Sequence, residues 1–363
     1  MEITELRAYT LEPPLDGDLG DARASIATRY WVVVELDTDA GLTGTGWLGT
    51  WRVPDLYERY AREFADPLVG ADPLAVEARR RELRERALYY PGEVGFSALP
   101  RSAIDVALWD LKAKAAGRPL YALLGGDGSP VPAYCSRLDA AVPTDELDAH
   151  HAPHAGAGFG AFKTKVGGRS LAEDVRRVGV VREAVGPDAD LFVDANQSWT
   201  ASEAVRGARA LAEHDVGWVE EPVSEWDLDG HARVAGVIDP PLAAGESFYR
   251  AERFEWLLSR GGVEVAQPDL LRCGGVSGLR EVTDLAAAHR VPFVPHVHYA
   301  VSAHLVNAAP TGAFVEYIPE YDASAVLDDA PEVRDGAVVL PGEPGHGYRI
   351  RASAREEFGV SFE

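Results

Sequence analysis

The spacing of hydrophobic and polar positions changes along the chain. Residues 2 to 50 favour β structure: an apolar run from Ile3 to Leu11, then Tyr30-Trp-Val-Val-Val-Glu-Leu36, a turn through Asp37 to Gly41, and a returning strand to Trp47. From Asp55 to Gly117 the spacing becomes helical, which predicts helices near 55–66, 73–88 and 97–117. Pro67, Pro73 and Pro91 punctuate them, and Gly117 followed by Pro119 ends the last. Beyond the turn at Gly125-Gly-Asp-Gly128, short apolar strands alternate with amphipathic helices to about residue 320, with strands near 132, 161, 190, 217, 242, 263, 292 and 313. That alternation predicts a parallel α/β barrel, whose active site belongs at the strand C-termini. The tail from Tyr321 carries Val338-Val-Leu340 and Tyr348-Arg-Ile350, short β segments expected to return over the N-terminal part. The expected division is therefore 1–125, 126–320 and 321–363.

Two stretches interrupt this pattern. Gly44-Thr-Gly46-Trp-Leu-Gly49 has the form of a dinucleotide-binding turn, but no helix opens at its third glycine and Pro54 intervenes before the next helical run. A tight hairpin is the expected use of these glycines. Leu15 to Arg29 is polar, with Asp16, Asp18, Asp21 and Arg23, and reads equally as a surface loop or a substrate lid.

Composition narrows the class. With 363 residues, 46% of them hydrophobic, the chain can bury a large core. Met1 is followed by no apolar run, so neither a secretory signal nor a membrane span is expected. Cys135 and Cys273 make neither a disulfide framework nor a zinc site, which suits a reducing cytoplasm. A net charge of −23 would repel nucleic acid. The expected partners are small molecules and further copies of the chain, as a homo-oligomer.

The candidate chemistry lies at the barrel strand ends. Leu191-Phe-Val-Asp194, Gly217-Trp-Val-Glu220 and Leu242-Ala-Ala-Gly-Glu246 each close on an acid, and each acid follows the last by 26 residues. One βα unit takes about that length, so the three carboxylates reach the same level of neighbouring strands. Carboxylates so close repel and take up protons unless a hard divalent cation joins them, Mg²⁺ before Zn²⁺. On the preceding strand Lys163-Thr-Lys165 places two amines on one face. The chain holds 35 lysines and arginines, and the four lysines include these two. Ammonium groups roughly 6.5 Å apart at an effective dielectric of about 20 repel by about 2.5 kcal/mol, so one amine is expected to deprotonate near neutral pH. Later strands end in Asp269, His296 and Glu316. Asp269 can accept from one imidazole nitrogen of His296 and leave the other as acid or base. His298 and His304 are expected to be structural, and His150, His151 and His154 to form a solvated helix face.

These residues resemble the enolase superfamily, within it the mandelate racemase subgroup. Asp105-Val-Ala-Leu-Trp-Asp-Leu-Lys-Ala-Lys, Gly117-Arg-Pro-Leu-Tyr and Leu124-Gly-Gly126 are similar to the end of the family's capping domain. Lys163-Thr-Lys165, Asp194-Ala-Asn196, Glu220-Glu-Pro222, Gly245-Glu246, Pro268-Asp269 with Gly274-Gly275, His296 and Glu316 match its barrel motifs in order. Asp269 with His296 separates the chain from the muconate-lactonizing branch.

The resemblance implies an α/β fold, a (β/α)7β modified TIM barrel with an α+β capping domain built from the N-terminal segment and C-terminal tail. It implies Mg²⁺ on Asp194, Glu220 and Glu246, stabilising the enediolate left when a carboxylate substrate loses its α-proton. Lys165 and His296 would be the acid–base pair, Asp269 would orient His296, and Lys163 and Glu316 would hold the carboxylate. Asn196 and Ser136 would contact substrate, and Arg23 would do so from the polar segment. Bases on two faces permit racemisation as well as loss of a β-hydroxyl. The polar segment favours a polyhydroxylated substrate and hence a sugar-acid dehydratase, with racemase or epimerase as the alternative, whereas Trp47 and Trp51 would suit an apolar pocket. A barrel that binds metal and carboxylate without turnover is a third reading.

Overall fold

The computed structural model describes residues 1–15, 19–21, 25–88 and 92–362. The N-terminal segment forms an antiparallel sheet in the order Gly359–Val360, Ile3–Leu11, Tyr30–Thr38, Thr43–Thr50. Its central strands bury Val32, Val33, Val34 and Leu36 completely, as an unbroken apolar run demands. Helices Pro54–Arg62, Val76–Leu88 and Ala98–Ala115 follow. Between the first two long strands, Leu19–Gly20 pairs with Ser25–Ile26 in a small hairpin. Asp16, Asp18 and Arg23 lie outside the described residues.

The glycines of strand Thr43–Thr50 do not make the hairpin turn, which lies at Asp39 to Leu42. They admit a helix instead. A Cβ on Gly44 would stand 2.2 Å from the Ala107 carbonyl oxygen, and one on Gly46 would stand 2.0 Å from that of Ala103. Between them Thr45 donates its backbone N–H to Asp110 Oδ2 at 2.9 Å. Gly46→Ala is expected to cost about 1–3 kcal/mol or more, because helix and strand must separate. Gly49→Ala, whose added Cβ would meet nothing closer than 3.8 Å, should melt like the wild type. Equal midpoints for the two variants would refute this use of Gly46.

The same helix joins the N-terminal sheet to the barrel. Its far face carries Asp105, whose carboxylate accepts from Ser277 N and Oγ at 2.9 and 2.6 Å. Trp109 Nε1 donates to Ser277 Oγ at 2.8 Å, and Ser102 Oγ to the Leu271 carbonyl at 2.5 Å.

The barrel strands are Val131–Ser136, Ala161–Lys165, Asp190–Asp194, Val216–Glu220, Leu242–Ala244 and Val265–Ala266, paired in sequence and parallel. The seventh position is reduced to bridges at Phe293 and His296, and Val315–Tyr317 closes the ring on the first strand. Pro268, Pro292 and Pro295 remove backbone donors there, which explains why the strands expected near 263 and 292 shrink to fragments. A helix follows every strand up to the seventh, so the fold is a (β/α)7β barrel under a capping domain. Tyr134, Phe192, Trp218, Ala243, Val265 and Val294 plug its interior. The Phe192 and Trp218 rings stack there, with Tyr134 edge-on to both.

The tail serves both parts. Val338 pairs antiparallel with Val131 at the foot of the barrel, while Gly359–Val360 adds to the N-terminal sheet and His346 Nε2 meets the Thr45 carbonyl. Tyr348 to Ile350, expected as a strand, makes only a bridge from Ile350 to Leu327. The helix Leu147–Gly156 is not uniformly solvated: His151 is fully buried against Asp139 at 2.8 Å. No helix among the described residues is long and apolar enough to cross a membrane.

Candidate active site

Each barrel strand from the second on delivers a polar residue to one end of the ring. Around that ring come Lys163 and Lys165, Asp194, Glu220, Glu246, Asp269, His296 and Glu316. Asp194, Glu220 and Glu246 each offer an oxygen, and these atoms lie within 4.8 Å of one another. Asp194 is braced by Asn196, whose backbone N and Nδ2 donate at 2.8 and 3.0 Å. Glu220 Oε2 accepts from Gln267 Nε2 at 2.7 Å and Trp218 Nε1 at 3.3 Å. Glu246 accepts from Arg272 Nη1 at 3.3 Å.

The two lysines share the interior face, as their spacing requires, but not the ionisation expected of them. Lys165 Nζ lies 2.5 Å from Asp194 Oδ2, and Lys163 Nζ lies 2.7 Å from Glu220 and 2.8 Å from Glu316. Burial works to lower both amines, yet the carboxylates outweigh it and hold both above the ordinary lysine value. Mutual repulsion loses because each ammonium has an acid within 2.8 Å.

The acids carry the opposite stress. Burial, with Asp194 and Glu316 nearby, pushes Glu220 up to about 7 despite Lys163. Burial and the charges of Glu246 and Asp194 push Glu221 well above its usual range. Asp194, Glu220, Glu221, Glu246, Asp269 and Glu316 thus crowd around Lys163, Lys165 and Arg272. A surplus of oxygen donors of this kind fits a hard divalent cation. A cation engaging Asp194 competes with Lys165 for its oxygen and frees the amine.

His296 completes the far side. Its Nδ1 is 2.8 Å from Asp269 Oδ2 and its Nε2 is 3.2 Å from Glu246 Oε2. Burial works to lower the imidazole, but Glu246 and Asp269 bring it up to about 9. The charged ring therefore adds stability that is complete below about pH 6.5 and lost as pH rises through about 9, on the order of 3 kcal/mol. In chelating buffer, the fall in melting midpoint between pH 6 and 9.5 should be smaller for His296→Asn than for the wild type. An equal fall would refute this assignment.

Backbone strain concentrates at the same level. Asn196, Gln197, Glu221, Val297 and His298 all have positive φ, from 39° to 61°, a conformation that costs of order 1–3 kcal/mol per residue. Val297, β-branched, is the most unfavourable, and its N–H is held by Glu316 Oε2 at 3.0 Å.

Above the ring lies a cavity of about 480 Å³. Lys165, Asn196, Glu246, Asp269, His296 and Glu316 reach it from the barrel, and Trp31, Trp47 and Trp51 from the N-terminal part. Asp21 is the described acid of the polar segment on its wall, where aromatic residues such as Tyr57, Phe96 and Tyr249 also stand. Ser136, expected to contact substrate, is instead fully buried, finds no hydrogen-bond partner among the described residues and is not on the cavity wall. Its Cα is in register with that of Lys163 on the next strand. Arg23 lies outside the described residues. His298, expected to be merely structural, lines the cavity 3.9 Å from Asp269, whereas His304 is buried and bonded to Tyr121 N and the His346 carbonyl. Glu221, Gln267 and Arg272 were not singled out by sequence reasoning. The doubled Glu220-Glu221 and the polar neighbours of Asp269 were the available signals.

Comparison with known proteins agrees with this architecture. Residues 6–125 match the mandelate racemase/muconate lactonizing enzyme N-terminal domain, and residues 147–354 match the enolase C-terminal domain-like family. The L-talarate/galactarate dehydratase of Salmonella typhimurium is 33% identical, over 89% of this chain and 81% of its own. The D-galactarolactone cycloisomerase of Agrobacterium fabrum is 34% identical, over 99% of both chains. A racemase from Streptomyces coelicolor, solved with bound magnesium, superposes with a TM-score of 0.92 at 31% identity, covering 99% of this chain and 100% of that one. Dehydratase, cycloisomerase and racemase all stand among these relatives, so kinship brings an enzyme without choosing its reaction. On its two matched domains, its barrel and its strand-end acids, the chain belongs to the enolase superfamily, in the mandelate racemase/muconate lactonizing enzyme group.

Proposed function

We propose that this chain dehydrates a sugar acid to a 2-keto-3-deoxy sugar acid with Mg²⁺ held by Asp194, Glu220 and Glu246. The observation that carries the reading is the placement of two proton-transfer groups in one cavity, Lys165 from the second strand and His296 from the seventh, flanking the acid triad. Magnesium, when bound, supplies Lewis-acid stabilisation to a carboxylate whose α-carbon is losing its proton. Lys165 takes that proton. Lys163 turns its ammonium to the substrate carboxylate. Glu316, held ionised by Lys163 at 2.8 Å, gains a proton more readily once another carboxylate stands beside it, and then donates a hydrogen bond to that carboxylate. Asp269 fixes the His296 ring, whose other nitrogen gives a proton to the departing β-hydroxyl. Water leaves, and the enol that remains tautomerises to the ketone. Asn196, at the edge of the cavity, is placed to meet a substrate hydroxyl.

The relatives named for dehydration of talarate and galactarate support the reaction type, and the two-sided base pair also supports epimerisation. A panel of sugar acids incubated with enzyme and Mg²⁺ in D₂O separates them. The expected result is a keto acid together with deuterium in recovered substrate. Both α-epimers without keto acid would replace dehydration by epimerisation. Neither exchange nor product across the panel would reject proton abstraction.

A further inference from the structure

Lys165 loses its nearest partner when a cation takes that partner over. Its amine rests on Asp194 Oδ2 at 2.5 Å, and a cation engaging that oxygen releases it. The aim of the freed amine then depends on the backbone that carries it. On one edge the sheet secures that backbone, with Lys165 in register with Asp194 and the Val166 N–H on the Asp194 carbonyl at 2.9 Å. On the other edge the neighbouring strand runs out. It ends at Ser136, beyond which the Arg137 N–H still reaches the Lys163 carbonyl at 3.3 Å. The next N–H on that edge belongs to Lys165.

A side chain takes over there. Asp139, fully buried, accepts the Lys165 N–H on Oδ1 at 3.0 Å. Its Oδ2 accepts from Thr164 Oγ1 at 2.7 Å and lies 2.8 Å from His151 Nε2. Three donors meeting two oxygens call for a carboxylate, which accepts at both atoms and donates at neither. Burial works to raise this carboxyl, yet His151, Thr164 and the Lys165 N–H outweigh it and hold the group below the ordinary aspartate value. Asp139 is itself gripped through its backbone. Arg177 Nη2 donates to its carbonyl at 2.7 Å, and Gly20 of the N-terminal part bonds Leu138 and Ala140 on either side of it. Lys165 therefore cannot slide or twist on this edge without leaving a buried N–H unpaired.

We propose that Asp139 is a positioning residue for Lys165: standing off the cavity wall, it fixes the strand end from which the amine reaches the α-proton. This rests on the reading of Lys165 as the base. A misplacement of about 1 Å at a reacting group costs on the order of 10²-fold in rate, so a rigid mount for the backbone is worth a buried charge.

The test sets variants of Asp139 against a control on the same carboxylate. Asp139→Ala removes both oxygens from the Lys165 N–H, and Asp139→Asn, nearly isosteric, leaves one oxygen for the same donors. Exchange of the α-proton of sugar acids in D₂O should slow by about 10- to 100-fold in the first and about 3- to 10-fold in the second, the loss falling on kcat, with KM and the Mg²⁺ Kd within about threefold of the wild type. His151→Leu loses a partner of Oδ2 and leaves Oδ1 to Lys165, so it should melt at a lower temperature and keep its rate within about twofold. Hydrogen exchange at the Lys165 amide, followed by NMR in metal-free protein, reads the mount without turnover. It should quicken by about tenfold or more in Asp139→Ala and stay as in the wild type in His151→Leu. Unchanged kcat in either folded Asp139 variant, an equal rate loss in His151→Leu, a loss that falls on Mg²⁺ affinity, or a Lys165 amide that exchanges alike in every protein would overturn the proposal. A wild type that exchanges no α-proton across the panel rejects Lys165 as the base and the proposed function with it. In that case a Lys165 amide quickened by Asp139→Ala still supports the mount.

Discussion

Asp194→Asn or Glu246→Gln should abolish activity, by on the order of 10³-fold or more, and weaken Mg²⁺ binding measured directly by calorimetry. A hard cation held by three carboxylates loses one full charge, and the amide that replaces it is a neutral oxygen donor. Several kcal/mol of transition-state charge stabilisation depend on that ion, and each 1.4 kcal/mol or so is tenfold in rate. Asp194→Asn should also disturb Lys165, whose amine rests on Asp194 Oδ2, so its loss should exceed that of Glu246→Gln. Full activity of either variant in exhaustively chelated buffer would end the metal assignment.

Lys165→Ala and His296→Asn should separate the two halves of the reaction. Without Lys165 no group on that side removes the α-proton, so both exchange and dehydration should disappear. His296→Asn keeps Lys165, the acid triad and the carboxylate contacts, so recovered substrate should still carry deuterium while the keto acid is lost by about 10²- to 10⁴-fold, the worth of a positioned acid. Mass spectrometry of substrate and product reads both. Deuterium in Lys165→Ala and none in His296→Asn would reverse the two roles. Exchange supported by either base alone, with epimers and no keto acid from wild type, would put epimerisation in place of dehydration.

The parts of this site that were legible in the chain are those that repeat. Asp194, Glu220 and Glu246 recur at the period of a βα unit, and the period alone brings them to one level. Lys163 and Lys165 share a face because a strand alternates. Arg29 and Tyr321, both on the cavity wall, have no such period: they meet across nearly the whole chain, each on a segment that only the closed barrel and its cap bring together. The ionisation of the lysines is out of reach of spacing alone for a related reason. Spacing gives the distance between two amines on one strand, but the charge that decides comes from acids on neighbouring strands. Ser136 shows a different limit, since its register with Lys163 does not tell that its side chain is fully buried. Gly44 and Gly46 look like a turn or a phosphate loop until the helix that lies on them is seen.

That helix, Ala98–Ala115, has a consequence for how ligands come and go. One face lies directly on strand Thr43–Thr50 with no side chain between, and the other is tied through Asp105, Trp109 and Ser102 to the barrel. A cap fastened in this way cannot swing open as a body without breaking buried hydrogen bonds on one side or close packing on the other. Entry and exit must therefore pass by way of short segments at the cavity wall and not by a hinge of the whole cap. Opening of short segments over a site takes microseconds to seconds, so passage of ligand through them, and not hinging of the cap, is the motion that competes with proton transfer for the pace of turnover.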